Sequence, residues 1–272
     1  MTTTSEITQT DILRLADLVR AALMNGERTY ARDLLEQTLG HPPTPPALPT
    51  DVKAPATPGI PTPLSDLLGQ TVARACARPA PGQFLTLLDD VARTEVPGAW
   101  PFIGSAIYTA FAHTMLPSAM QHARRHIARA AAPAATDAIS ERVPGQLLVN
   151  YFEEGLSQLY DWVSDPSPWV RRALGVAVRF YVENHPEEQS QIARLLQLLG
   201  LAYQESDVYA LEGIAQGFQT VGKHQPNMLI YWLYEQREVN KQPHPMILRQ
   251  ATTYLPETVK DELLPEGQDS TT

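Results

Sequence analysis

Apolar residues recur every three or four positions along most of this chain, and prolines, glycines or aspartates separate the runs. That spacing places the apolar side chains on one side of an α-helix. It predicts helices over residues 64–78, 83–93, 99–114, 117–131, 134–141, 146–163, 167–183, 187–201, 207–221, 226–238 and 246–254. No stretch shows the alternation typical of a strand, so the fold class is predicted to be all-α.

The first forty residues form a separate pattern. Thr10 and Asp11 are expected to cap a first helix that Asn25 and Gly26 end, and a second helix stops at Gly40. Nine prolines then fall between residues 42 and 63, which is typical of an extended, semi-rigid linker. We therefore predict an N-terminal helical hairpin at 1–40, a Pro-rich linker at 41–63, a helical-repeat domain at 64–265 and a flexible tail at 266–272.

Helices of similar length with a proline or aspartate at each restart favour stacked helical pairs of the HEAT type. Such pairs cannot bury their apolar faces alone, so neighbours stack into a curved α-solenoid, a superhelix with a concave surface. A non-repetitive helical bundle is the alternative that the pattern leaves open.

Composition limits the chemistry. The only cysteine, Cys76, excludes an internal disulfide and a cysteine-rich zinc site. No signal-like start and no apolar run of membrane-spanning length is present, and a cytoplasmic protein is expected. His122 and His126 have the spacing of a metal pair but lack an acidic partner between them, so neither a metal nor a cofactor is expected. The net charge of -9 means that any contact with nucleic acid would need a local basic surface.

One stretch, residues 162–173, combines two tryptophans seven positions apart with a pair of arginines after the second. Residues 165–168 predict a helix stop, a tight turn and a restart, because Asp165 and Ser167 can cap backbone amides and proline fits a first helical turn. Trp162 and Trp169 favour packing between repeats over stacking on a ligand.

Further blocks accompany this stretch in a fixed order. They are residues 136–139 with Gly145 eight positions after the aspartate, residues 207–218 followed by Lys223 and Pro226, and residues 246–251. Together with residues 162–173 they resemble the bacterial DNA alkylation repair glycosylases of the AlkD type, built from HEAT-like repeats. The resemblance extends over roughly residues 99–255 and leaves out the hairpin and the linker.

The resemblance implies that duplex DNA lies on the concave face and that cationic N3- or N7-alkylated purines are excised. The family's carboxylate matches Asp137 and its backbone-contacting arginine matches Arg172. Its two tryptophan positions fall on Pro133 and Gln216, and a lysine position falls on Glu212. These three departures remove an aromatic cradle and replace a cation with an anion.

Other candidate residues have two readings. Arg171, Arg124, Arg125 and Lys223 are candidate DNA-binding residues, and Trp169, Gln216 and Pro133 are candidate site-lining residues. Arginines in such positions also bridge to neighbouring repeats or cover a solvated helix face. Asp137 has an alternative role as the cap of a helix that begins at Ala138.

Two hypotheses of different classes follow. The first is a DNA-binding helical-repeat protein that excises cationic alkylated purines through Asp137. The second is a catalytically silent scaffold that binds a protein partner through the hairpin or the concave face. The sequence leaves open whether the chain is an enzyme. No membrane partner is expected.

Overall fold

A computed structural model describes residues 8–40, 62–239 and 242–264. Within these ranges the regular structure is helical throughout, and the all-α prediction is confirmed. The predicted linker and tail lie mostly outside the described residues. The helices are α1 (Gln9–Met24), α2 (Arg28–Gly40), α3 (Thr62–Cys76), α4 (Pro81–Ala92), α5 (Ala99–Phe111), α6 (Leu116–Ala130), α7 (Pro133–Ser140), α8 (Gln146–Asn150), α9 (Phe152–Trp162), α10 (Pro168–Asn184), α11 (Gln189–Leu201), α12 (Val208–His224), α13 (Pro226–Glu238), α14 (Pro245–Ala251) and α15 (Glu257–Leu263).

The chain divides into two compact units, Met1–His126 and Ile127–Thr272. They are called the first unit and the second unit below. The domain boundaries expected from the proline content and the helix pattern remain predictions.

In the first unit, the N-terminal hairpin packs on the helices that follow it. Helix α1 contacts α3, and α2 contacts α4. Leu23, Leu35 and Leu39 are completely buried, since the apolar stripes of both hairpin helices face the rest of the unit. The described hairpin is therefore an integral part of the first unit's core.

The start of the hairpin corrects one expectation. The cap of α1 is Thr8, whose side chain accepts a hydrogen bond from the backbone N–H of Asp11, while the Asp11 carboxylate accepts one from the N–H of Thr8. This reciprocal capping box starts the helix earlier than the predicted Thr10–Asp11 cap. Thr8 and Thr10 can both cap a helix and lie two positions apart, which made the start ambiguous in the sequence.

In the second unit, α10 is central and packs against α7 and α12. Helix α12 in turn packs against α14. Glycines permit the close α10–α12 crossing. A Cβ built on Gly175 would lie 1.9 Å from the carbonyl oxygen of Gly213, and one on Gly217 would lie 3.1 Å from the Cα of Gly175. The two backbones therefore approach to a distance that a larger side chain would prevent.

One helix prediction in the second unit is wrong, and one helix there was not predicted. The helix expected over 146–163 breaks at Tyr151, whose φ of -147° and ψ of 62° are not helical, so that α8 and α9 are separate elements. The short helix α15 was not predicted, because few apolar residues mark its face and none of its residues is buried.

Between α7 and α8 the chain makes a π-helical turn, Glu141–Gly145, that contains Pro144. Proline has no N–H to donate and clashes with the preceding turn of a regular α-helix, so a widened turn relieves both problems. Gly145 ends this turn close to α10, since a Cβ there would lie 2.8 Å from the Phe180 ring.

None of the helices in the described ranges has the length and apolar character needed to cross a lipid bilayer.

Candidate functional site

Arg172 lies at the centre of the second unit's polar contacts. Its side chain is only 2% exposed, and it is the largest fully buried side chain among the described residues. It extends from the first turns of α10, where the Ser167 and Pro168 restart places it beside α7 and α12. A buried guanidinium requires partners for its charge and its donors.

Two carboxylates and one carbonyl supply those partners. Arg172 Nε donates to Asp137 Oδ1 at 2.8 Å, and Nη2 donates to Asp137 Oδ2 at 3.0 Å. Nη1 donates to Glu212 Oε2 at 2.5 Å and to the carbonyl oxygen of Tyr209 at 3.4 Å. Asp137, Arg172 and Glu212 are called the triad below, and its formal charge is -1.

The triad keeps the Arg172 guanidinium charged. Burial by itself would lower the pKa of Arg172, but the hydrogen bonds and charges of Asp137 and Glu212 outweigh burial and raise it. The two carboxylates stay accessible, since the Asp137 side chain is 28% exposed and that of Glu212 is 46% exposed. The arrangement therefore presents negative charge to solvent from carboxylates that the buried Arg172 holds in place.

The position of Asp137 excludes the capping alternative. Helix α7 begins at Pro133, so Asp137 is inside the helix and its carboxylate bonds to α10 instead of to a helix start. Pro133 is exposed at the first position of α7, a place that suits proline because no N–H is needed there.

A second charged contact lies further along the same helices. Arg179 Nη2 donates to Glu141 Oε1 at 2.6 Å, and Nη1 donates to Gln216 Oε1 at 3.1 Å. Gln216 therefore supports an inter-helix contact. Sequence reasoning did not predict that Glu141 and Arg179 pair across 38 positions, because only the packing of the π-helical turn against α10 brings them together.

The candidate DNA-binding residues are divided between the two units, with Arg171, Arg172 and Lys223 in the second. Arg171 forms a forked ion pair with Glu205, at 2.6 Å and 3.3 Å, and also donates to the Asp165 carbonyl at 2.7 Å. This contact joins the turn before α10 to Glu205, which precedes α12, so Arg171 bridges two parts of the fold. Lys223 is exposed near the end of α12.

Arg124 and Arg125 belong to the first unit. Arg125 Nη2 donates to Asp89 Oδ1 at 2.7 Å, and the buried His126 lies 3.6 Å from the same oxygen. Arg124 is exposed. His122 stacks on the Phe111 ring at 4.9 Å between centroids, and no group of three His, Cys, Asp or Glu side chains suited to a metal ion occurs in the described residues.

The two tryptophans of residues 162–173 are both buried, as expected for side chains that pack between helices. Trp162 is 4% exposed and Trp169 is 8% exposed. Trp169 stacks on Tyr209, with ring centroids 4.5 Å apart and planes inclined by 26°. Tyr209 itself is 49% exposed, and sequence reasoning did not single it out.

Comparison with known proteins identifies the class to which this helical unit and its buried arginine belong. The family described as DNA alkylation repair enzyme matches residues 74–255. The chain belongs to this family, which confirms the resemblance and the prediction of an all-α helical-repeat fold. A function of the DNA alkylation repair kind follows at that coarse level. No curated protein and no solved structure matches the chain.

Proposed function

We propose that this protein binds duplex DNA and hydrolyses the N-glycosidic bond of cationic N3- or N7-alkylated purines. One observation carries the proposal: the Asp137 carboxylate is held through both oxygens by Arg172 and is still partly exposed. Asp137 lies in the segment that matches the repair family, at the position where the resemblance places a catalytic carboxylate.

The chemistry requires little beyond such a carboxylate. When the bond between the sugar C1′ and the base nitrogen breaks, its electron pair moves to the cationic base, which leaves as a neutral molecule. The sugar becomes an oxocarbenium ion, and a nearby negative charge stabilises that developing cation. Water adds at C1′ and loses a proton to solvent. Because the leaving base is already positive, no strong general acid is needed.

The role of Arg172 in this proposal is to position Asp137. Its two parallel hydrogen bonds fix the direction of the carboxylate, which is the preorganisation that electrostatic stabilisation needs. Glu212 offsets the positive charge of Arg172, so that the triad is attractive to a cation.

One observation favours the alternative of a catalytically silent scaffold that binds a protein. Arg125, Arg171 and Arg172 all bond to carboxylates of the chain itself. They would have to exchange those partners for phosphate groups. Together with the net charge of -9, these pairs predict weak duplex binding with a small salt dependence.

The deciding experiment measures release of 7-methylguanine and 3-methyladenine from methylated duplex DNA by the full chain. We expect release by the wild type and a loss of about a hundredfold or more in Asp137→Asn. Asp161→Asn is the matched control, since Asp161 is an exposed aspartate on α9 of the same unit. If the wild type neither releases a base nor shows salt-dependent duplex binding, the proposal fails and the scaffold is favoured.

A further inference from the structure

An exposed aromatic surface lies next to the triad. Tyr209 is half exposed, and one face of its ring rests on the nearly buried Trp169 at 4.5 Å between centroids. Arg172 donates to the backbone carbonyl of the same tyrosine. Trp169 therefore fixes the Tyr209 ring from one side.

Helix register explains why these residues meet. Trp169 and Arg172 are three positions apart on α10, and Tyr209 and Glu212 are three positions apart on α12. Residues with that spacing lie on one helix face about 4.5 Å apart along the axis. The pair Trp169–Tyr209 is thus one helical turn from the pair Arg172–Glu212, and both are fixed by the same glycine-mediated crossing of α10 and α12.

The combination has a defined chemical preference. Glu212 is 46% exposed beside an aromatic ring, and the triad of which it is part carries a charge of -1. An aromatic face attracts planar rings by stacking and cations by its quadrupole. A carboxylate next to it adds attraction for positive charge and repels phosphate. The ligand that fits both features is a planar cation.

We propose that Tyr209, supported by Trp169, stacks on the alkylated base and that Glu212 offsets the positive charge of that base. This inference rests on the proposed function and extends it, since it names the surface that distinguishes a cationic alkylated purine from an ordinary one. Asp137 faces the sugar and Glu212 faces the base. Lysine at position 212 would repel the same ligand.

Binding of a free nucleoside tests this inference separately from excision. The probe is 7-methylguanosine in mildly acidic buffer, where its ring carries a positive charge, and guanosine is the neutral probe of nearly the same shape. Binding of each to the full chain is followed by NMR line broadening of the nucleoside. We expect the wild type to prefer 7-methylguanosine.

Variants assign that preference to residues. Tyr209→Ala should weaken 7-methylguanosine binding roughly five- to a hundredfold, the range that loss of one stacked base gives. Tyr209→Phe should retain it. Glu212→Gln should reduce the preference over guanosine while leaving guanosine binding unchanged. Tyr231→Ala is the matched control, since Tyr231 is a 68% exposed tyrosine on α13.

The outcomes separate the two proposals. A wild type that binds both nucleosides equally, or a Tyr209→Ala variant that binds 7-methylguanosine as tightly as the wild type, overturns this inference even if the enzyme excises methylated bases. Preferential binding that depends on Tyr209, without base release, supports this surface and refutes the proposed hydrolysis. A circular dichroism spectrum of Tyr209→Ala that matches the wild type shows that the variant is folded.

Discussion

Replacing Arg172 with alanine tests whether this buried guanidinium stabilises the second unit. The change removes the centre of the triad and leaves Asp137 and Glu212 without their shared partner. It also empties the space that the 2% exposed side chain fills between α7, α10 and α12. Both effects should destabilise the folded second unit.

The magnitude follows from the exposure of the three side chains. Removing one partner of a buried ion pair costs about 3–5 kcal/mol, because the remaining charge is buried without compensation. Here the carboxylates are 28% and 46% exposed, so water can rehydrate them and reduce that cost. The lost packing of the arginine stem acts in the opposite direction. We expect a loss of about 2–4 kcal/mol in the free energy of unfolding.

Urea denaturation of the full chain measures this loss if the signal reports on one unit. Trp100 lies in α5 of the first unit, whereas Trp162, Trp169 and Trp232 lie in the second. In a Trp100→Phe background, tryptophan fluorescence therefore follows the second unit alone. A single-unit signal is needed because a chain with two units need not unfold in one step.

Arg194→Ala provides the matched control. Arg194 makes a forked ion pair with Glu153, but the two side chains are 42% and 69% exposed. Exposed pairs contribute about 0–1 kcal/mol. If Arg172→Ala lowers the stability of the second unit by no more than Arg194→Ala does, the reasoning about the triad is refuted.

Two further predictions concern contacts around the triad. Gly175→Ala places a Cβ 1.9 Å from the Gly213 carbonyl oxygen, so it should cost about 1–3 kcal/mol or more of stability in the same urea assay; an unchanged midpoint would contradict the close crossing. Burial opposes ionisation of Glu205, but hydrogen bonds from Arg171 and from two backbone amides outweigh it and hold the pKa of Glu205 below its ordinary 4.5. The stabilisation is therefore present above that value and is lost as the pH falls through the lower folded-state pKa. The difference in the free energy of unfolding between the wild type and Glu205→Gln should therefore become smaller as the pH falls. A difference that stays constant with pH would refute this reasoning.

Much of the second unit was predictable because its signals are local. Pro168 marks the start of α10 and Pro226 the start of α13, since proline suits a first helical turn. The exception at Tyr151 has a physical reason: residues on both sides are apolar at helical spacing, so no breaker in the sequence marks the change in backbone direction.

The candidate site was only partly predictable. Asp137 and Arg172 were identified through a family resemblance, and the structure joins them by a two-pronged ion pair. Glu212 was noted only as a departure from the family pattern, and Tyr209 received no role. Neither one has a local signature, because an exposed tyrosine and glutamate on a helix are ordinary residues until another helix lies beside them.

By itself, the sequence determined the helices and the positions of most of their ends, since these depend on apolar periodicity, capping side chains and proline within a few residues. It also determined which family the chain resembles. Only the tertiary structure decided that Arg172 is buried between Asp137 and Glu212, 35 and 40 positions away. The physical reason is the close crossing of α10 and α12. Gly175 and Gly213 allow the two backbones to come into contact, which places Arg172 on α10 within hydrogen-bond distance of Glu212 on α12.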